Sequence, residues 1–421
     1  MEVSHLKTET VAELVVVAFV PFIMVLGNSM LIPVLPTMRQ VMHLTQVQTG
    51  LIITSFSIPA AVVIGLAGYL ADRYGRKAVI VPSLIVYGAG GLIAAGAAVL
   101  ARDPYIPLIA GRIVQGVGAA GTAPIAMALA GDIFRTGERT QALGILESAN
   151  GLGKVASPLL GSLAALIAWY APFVVYGVLA FPIAFGVWKV VHEPDRSQAR
   201  MQSSEMGNYF QSLKAVFSHK GGPLLASYFC GMVVLFILFG LLFYISDTLE
   251  TTFAVDGVLR GAIVAIPVLV MAVASYVTGA ATQRKPPTTL KILVIAGLGL
   301  VGVGCSVAAF LRGALPSLVA AAGVGLGTGV VLPPVNTLVT GTTSGAQRGI
   351  VTSGWGATRF TGVALGPPLF GVAMQLGRPA LLLGTAGLAG LALLVGLVFL
   401  DANRLLAGWQ KGQGMSDGGA P

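Results

Sequence analysis

Apolar residues gather in twelve runs along this chain, roughly 13–36, 47–69, 77–100, 106–131, 141–167, 170–191, 221–246, 258–281, 290–312, 315–341, 350–375 and 379–402. Each is long enough to cross about 30 Å of hydrocarbon as a helix. The pattern predicts an all-α membrane protein with twelve transmembrane helices. Between the second and third runs stands a compact charged turn, Gly68 to Lys77, reading GYLADRYGRK. It joins two spans on one face of a bilayer.

Placing both termini on one side puts seventeen lysines and arginines in the loops of that side, among them Lys7, Arg73, Arg76, Lys77, Arg135, Arg139 and Arg348. The other side holds five, Arg39, Arg102, Arg260, Arg312 and Arg378. The positive-inside rule assigns the termini and the charged turn to the cytoplasm. The longest polar connection falls between runs six and seven, so the chain divides into a six-helix bundle over 1–190, a linker over 191–220, a second six-helix bundle over 221–402 and a tail over 403–421. Within the linker Tyr209, Leu213, Val216 and Phe217 fall at i, i+4, i+7 and i+8. That spacing predicts a short amphipathic helix lying along the membrane surface.

A repeat crosses the linker. A shift of 209 residues superimposes Gly116 on Gly325, Gly118 on Gly327, Pro124 on Pro333, Arg139 on Arg348, Gly153 on Gly362 and Pro158 on Pro367. Six matches in one register argue for two pseudo-symmetric halves, related by an axis along the membrane normal.

Composition agrees with this reading: 55% of residues are hydrophobic, 10% are charged and the mean hydropathy is +0.86. The net charge of +9 is spread through short loops rather than gathered on a patch, so topology explains it and a nucleic-acid partner is not expected. Cys230 and Cys305 lie alone in separate apolar runs, where they read as small core residues rather than a disulfide or metal pair. His5, His43, His192 and His219 sit in or beside polar segments and offer no embedded relay. The first apolar run is longer than a signal h-region and lacks a small-residue cleavage site, so it reads as the first span. No GxxxxGK[ST] loop, metal-ligand cluster or nucleophile beside a base is present, so neither an enzyme nor a cofactor is expected.

In the charged turn, Asp72 stands among Arg73, Arg76 and Lys77, with Gly68 and Gly75 letting backbones approach. A carboxylate there can meet a helix N-terminus or an arginine, and either contact breaks if two halves rock apart. The pattern resembles the loop between spans two and three of the major facilitator superfamily, and the match is complete. Three further stretches look like motifs of its twelve-span drug:proton antiporter branch. These are LGNSMLIPVLP (Leu26 to Pro36) in span one, GRIVQGVGAA (Gly111 to Ala120) with Arg112, Gln115, Gly116 and Gly118 in span four, and GKVASPLLGS (Gly153 to Ser162) in span five. Ser157 and Ser162 replace family glycines, and the counterpart of the charged turn near Gly279 to Lys285 lacks its aspartate. The resemblance covers essentially the whole chain. It implies that Asp132 partners the turn through Arg73 or Arg76, that Arg139 belongs to the same cytoplasmic cluster, and that Asp72 faces the start of span eleven.

Physically, span five carries small residues four apart, Gly153, Ser157 and Gly161, around Pro158, which permits a bend. Its repeat partner in span eleven carries Gly362, Gly366 and Pro367. Two such helices would seal the extracellular side as gates; generic small-residue packing is the alternative.

Ionisable residues well inside a span cost about 2.5 to 3.5 kcal/mol each on insertion scales. Four stand out: Arg112, Glu147, Lys154 and Arg359. Arg112 descends and Glu147 ascends to about the same depth, so an ion pair is geometrically open to them. Lys154 follows seven residues after Glu147 on the same face. A carboxylate whose charge changes which side is open would couple protons to transport; a static buried pair is the alternative. Asn28, in span one, occupies a depth where some relatives carry a proton-accepting acid. Asp247 and Glu250, closing span seven at the outer surface, read as solvated. Phe56, Tyr228, Phe236, Phe239 and Trp355 are candidates for an apolar pocket, although single aromatics in spans mostly face lipid or core.

The sequence therefore predicts a proton-coupled antiporter working by alternating access, monomeric in a bacterial inner membrane, exporting a small amphipathic drug or metabolite. The positive bias of Arg112, Lys154 and Arg359 suits anionic or neutral solutes. A siderophore or sugar exporter, a glycolipid flippase and an uptake facilitator share the fold. A sensor or scaffold would ordinarily add a soluble domain.

Overall fold

The structure is a computed structural model that describes residues 8–134, 136–193, 206–282, 285–310, 313–343 and 346–406. Among them the regular structure is helical, with no strand. By contacts the chain separates into two compact units. One comprises Met1–Thr45, Leu51–Ser204 and Asp256–Ala262; the other comprises Gln46–Gly50, Glu205–Val255 and Ile263–Pro421.

The first unit holds α1 (Thr8–Ser29), α2 (Leu35–Val41), most of α3 (Gln46–Tyr74), from Leu51 on, α4 (Arg76–Leu100), α5 (Tyr105–Ala120), α6 (Ala123–Ile133), α7 (Thr136–Ala165) and α8 (Ala171–Val190). The second holds α9 (Met206–Phe253), most of α10 (Gly257–Ala281), from Ile263 on, α11 (Pro287–Phe310), α12 (Ala314–Gly341), α13 (Ala346–Ala373) and α14 (Arg378–Phe399).

Two expected single spans are each broken into two helices. The first bends after Ser29 through a 3₁₀ turn over Ile32–Val34, where Pro33 and Pro36 occupy the opening positions of the turn and of α2 and lack the N–H a continuous helix would use. The fourth breaks between α5 and α6, where Gly121 and Thr122 close tight bonds back to Gly118 and Ala119 and Pro124 opens the next helix. Conversely, the amphipathic stretch before span seven is not a separate helix. Its backbone runs unbroken into α9 through Pro223, giving 48 helical residues. At 1.5 Å per residue that is about 72 Å, well beyond a bilayer core. The side chains of Tyr209, Leu213 and Val216, like the tail beyond Leu406, lie outside the described residues.

Among the described residues, ten segments are long and apolar enough to cross a membrane on their own, and α7 and α13 are not among them. These two are long helices of 30 and 28 residues, so it is polarity that sets them apart. They are also repeat partners: shifting Thr136–Ala165 by 209 gives 345–374, and α13 occupies Ala346–Ala373. A polar helix in hydrocarbon must turn its polar face to protein or water, so the repeat builds one such helix into each unit.

The packing repeats too. α4 lies on α5 and α8, and α1 on α7; in the second unit α11 lies on α12 and α14, and α9 on α13. A β-carbon at Gly116 would overlap the backbone of Phe56, and one at Gly325 would overlap that of Pro267. Gly153 faces the carbonyl of Phe22 and Gly362 that of Met232, where added β-carbons would stand 3.1 and 2.6 Å from the oxygens. The same positions let helix backbones touch in both halves, which is how small residues substitute for a hydrophobic drive between helices in lipid.

Candidate functional site

In the first unit, Arg112 on α5 is completely buried. Its Nε donates to Ile52 O at 3.0 Å, and Nη1 donates to Gly27 O at 2.7 Å and Gln115 Oε1 at 2.6 Å; Nη2 donates to the Asn28 amide oxygen. The Phe56 ring lies 4.6 Å from the guanidinium carbon. A buried charge is tolerable only when its donors are satisfied, and here neutral oxygens from α1, α3 and α5 do so. Asn28 is fixed from its other end, its Nδ2 donating to Ser57 Oγ at 2.8 Å. Tyr87 closes the cluster by donating to Ile23 O at 2.7 Å.

The pair between Arg112 and Glu147 is therefore not formed. Matching depth does not fix direction: Arg112 turns from α5 onto Gly27 and Asn28 of α1 and Ile52 of α3, while α7 packs against α1. Glu147 is exposed on the surface of its unit and makes no hydrogen bond or ion pair with a described residue. Lys154 is half-buried two turns on, and Asn150 between them is buried. Further along α7, Ser157 bonds back to Gly153 O, and an added β-carbon at Gly161 would overlap the backbone of Met30. Pro158 is buried inside the helix.

On α13 of the second unit, Arg359 is half-buried, with its guanidinium carbon 5.9 Å from the Trp355 ring centroid. Trp355 is 4% exposed, stacks on Tyr228 of α9 at 5.9 Å and 23°, and donates its indole N–H to Asn336 Oδ1 of α12 at 2.5 Å. Tyr228 in turn donates its hydroxyl to Val351 O. Tyr228 and Trp355 are thus core residues with satisfied polar ends. Farther along α13, Gly362 and Gly366 sit against α9, with added β-carbons 2.6 and 2.7 Å from Met232 O and Phe236 O, and Pro367 is buried.

The charged turn also resolves into specific bonds. Gly75, at φ 108°, takes a conformation that only glycine adopts cheaply and lets α4 start abruptly. Arg76 Nε meets Asp132 Oδ2 at 2.6 Å, and its Nη2 lies 3.3 Å from Asp72 Oδ1. Of the two arginines open to Asp132, it is Arg76 that reaches it. Arg73 is exposed and donates to Tyr69 Oη at 3.2 Å. Gly68 lies in the last turns of α3, and the side chain of Arg139 is outside the described residues.

One acid, Glu193, carries no pairing signature in the sequence, and another, Asp247, differs from its expected place. Glu193 accepts from the backbone N–H groups of Arg76 at 2.7 Å and Lys77 at 3.0 Å, so its carboxylate caps α4, while Lys77 Nζ donates to Val191 O at 2.7 Å. An acid just after the sixth span, on the same membrane face as a helix opening after glycine, was the available signal. Asp247 is 6% exposed, not solvated as its place near the end of span seven suggested. The cause is length: α9 continues six residues past it to Phe253.

The family description "Major Facilitator Superfamily" matches residues 17–341. The bacillibactin exporter of Bacillus subtilis is 36% identical over 393 residues, 93% of this chain and 97% of that protein. The class C tetracycline resistance protein of Escherichia coli is 26% identical, over 90% of this chain and 93% of that protein. Among solved structures, the xylose transporter XylE from E. coli aligns with a TM-score of 0.75 at 12% identity, covering 94% of this chain and 98% of that one. A bacterial homolog to the human lysosomal transporter Spinster aligns at 0.70 and 18%, covering 99% and 100%. These two carry the likeness of fold, and the twelve spans, the repeat and the charged turn agree with it. With the family match running over most of its length, this chain is a multi-pass membrane transporter and belongs to the Major Facilitator Superfamily.

Proposed function

We propose that this protein is a proton-coupled exporter of a small amphipathic organic compound, with Glu147 as the coupling carboxylate. The observation that carries this is the exposed position of Glu147, the twelfth of the 30 residues of α7, the polar span of the first unit. At mid-span a charged group facing lipid is costly, so Glu147 faces water, where it can take and release a proton. Arg112 and Asn28 are assigned a framing role instead, because four N–H bonds of that buried guanidinium go to neutral protein oxygens. Lys154, two turns from Glu147 on α7, and Arg359 on the repeat-related α13 each put a positive charge on the polar span of their own unit.

Export, rather than uptake, is supported by the bacillibactin exporter and the tetracycline resistance protein among the relatives. A siderophore-like organic anion fits both the first of these and the charge bias. The cluster of Arg76, Asp132 and Asp72, capped by Glu193, is assigned to the cytoplasmic latch, with Gly68, Arg73, Gly75 and Arg139. The flexing gates are α7 around Gly153, Pro158 and Gly161, and α13 around Gly362, Gly366 and Pro367. Both termini would lie in the cytoplasm of a bacterium, with the chain working as a monomer in the inner membrane.

The test is uptake into inverted membrane vesicles energised with a proton gradient, using bacillibactin and tetracycline as solutes. Accumulation that collapses with a protonophore supports proton-coupled export. Accumulation that persists without the gradient, or none in energised vesicles, contradicts it.

A further inference from the structure

We propose that the groove between α1 and α8 of the first unit binds one phospholipid from the leaflet on the side assigned to the cytoplasm, with an acyl chain in the groove and an anionic headgroup at Lys189. The site is separate from the exporter reading above and stands without it.

Val16, Phe19 and Leu26 of α1 and Leu179, Pro182 and Gly186 of α8 are among the walls of a cavity of about 250 Å³. Among the described residues, no polar side chain lines it. Phe19, Leu179 and Pro182 are exposed, so the cavity opens at the surface instead of lying sealed in the bundle. An open cavity at bilayer depth with wholly apolar walls suits hydrocarbon, since water inside it would find no hydrogen-bond partner. Each wall helix also contains a proline, Pro21 in α1 and Pro182 in α8, and a proline removes a backbone bond and permits the bend by which two helices part.

The dimensions suit one acyl chain. Leu26 stands ten residues beyond Val16, so the groove runs about 15 Å along α1. That is half of a hydrocarbon core of about 30 Å, the depth of a single leaflet. The end marked by Val16 and Gly186 is the one where α1 starts and α8 finishes. There Glu13 Oε1 accepts the backbone N–H of His192 at 2.9 Å, and the exposed Trp188 adds an aromatic ring of the kind that collects at headgroup level. A polar band thus lies just beyond this end of the groove.

Charge selects the headgroup. Leu179, Pro182 and Gly186 share a face of α8, and Lys189, three residues after Gly186, continues that face past the end of the groove. Lys189 is exposed, with its ammonium 5.8 Å from the Phe185 ring centroid, and a lysine suits a phosphate as a compact point charge. The acids at this end already serve protein groups, Glu13 on His192 and Glu193 on the first N–H groups of α4. A negative headgroup therefore meets a lysine there and not a bare carboxylate. The bound chain would also brace α1, whose carbonyls at Ile23 and Gly27 hold Tyr87 and Arg112.

The experiment is native mass spectrometry of the detergent-purified full chain, stripped of lipid and then titrated separately with phosphatidylglycerol and phosphatidylcholine of equal chain length. The expected result is one saturable phosphatidylglycerol per chain, bound at least about tenfold more weakly by Gly186→Leu, whose new side chain takes the space of several chain methylenes. Lys189→Gln should weaken phosphatidylglycerol about fivefold, the contribution of one lysine near an anionic lipid surface, and leave phosphatidylcholine unchanged. Phosphatidylglycerol should raise the melting temperature of wild type more than that of Gly186→Leu. Monodispersity on size exclusion reports folding of each variant, and Ile183→Trp, which fills the same groove, carries the test if Gly186→Leu does not fold. Equal lipid binding by wild type and the folded groove-filling variant means annular lipid only and overturns the site. Equal affinity of wild type for the two lipids overturns the anionic headgroup at Lys189. A lipid-free wild-type dimer that Gly186→Leu dissociates overturns the lipid in favour of a second copy of the chain.

Discussion

The guanidinium of Arg112 bonds the side-chain amide of Asn28, and that amide is held from behind by Ser57. A buried cation is thereby satisfied by neutral groups on three helices. Removing the amide in Asn28→Ala should leave a buried charged donor unpaired and lower stability by about 1–3 kcal/mol or more. Asn28→Asp, of the same shape, supplies a carboxylate in the same place. The melting temperature in detergent at neutral pH should therefore fall clearly in Asn28→Ala and stay near or above wild type in Asn28→Asp.

The cap on α4 gives a second expectation. Glu193 satisfies the first two N–H groups of that helix, an arrangement whose loss costs about 0.5–2 kcal/mol. Glu193→Ala should lower the melting temperature, whereas Glu193→Gln, which keeps an acceptor oxygen, should lower it less.

Arg76 and Asp132 form a close, largely shielded contact, with side chains 15% and 10% exposed. A double-mutant cycle with Arg76→Ala and Asp132→Ala should show coupling of about 0.5–3 kcal/mol, measured by thermal unfolding. If the cluster is a latch, the single variants should also change transport rate beyond what their stability accounts for.

Close backbone contact at Gly362 predicts a sharp contrast between glycines. Gly362→Val forces its side chain into Met232 O and should cost about 1–3 kcal/mol and most of the transport activity. Gly384→Ala on α14, with nothing near its added carbon, should be neutral to slightly stabilising by melting temperature.

Most of the fold was legible because lipid imposes a length and a polarity that a sequence cannot disguise. The same pattern placed the repeat, since Gly116 and Gly325 must both meet a neighbouring backbone. What stayed hidden was direction around a helix axis. Arg112 turns inward onto oxygens of α1, α3 and α5 while Glu147 is exposed on α7, and no periodicity in a span that is apolar nearly all round says which face turns where. Glu193 was hidden for a related reason, because its partners are main-chain atoms at another helix's start and leave no residue pattern. The breaks at Ser29 and Ala120 were signalled by prolines but masked by unbroken hydrophobicity.

The central claim is that Glu147 couples protons to solute movement, and it is tested most directly in proteoliposomes with an interior pH dye. A bacillibactin gradient is applied to wild type and Glu147→Gln, and solute counterflow is measured in parallel. The account predicts solute-driven proton movement in wild type, its loss in Glu147→Gln, and counterflow in both. Undiminished proton movement in Glu147→Gln would contradict it and return this carboxylate to a structural role.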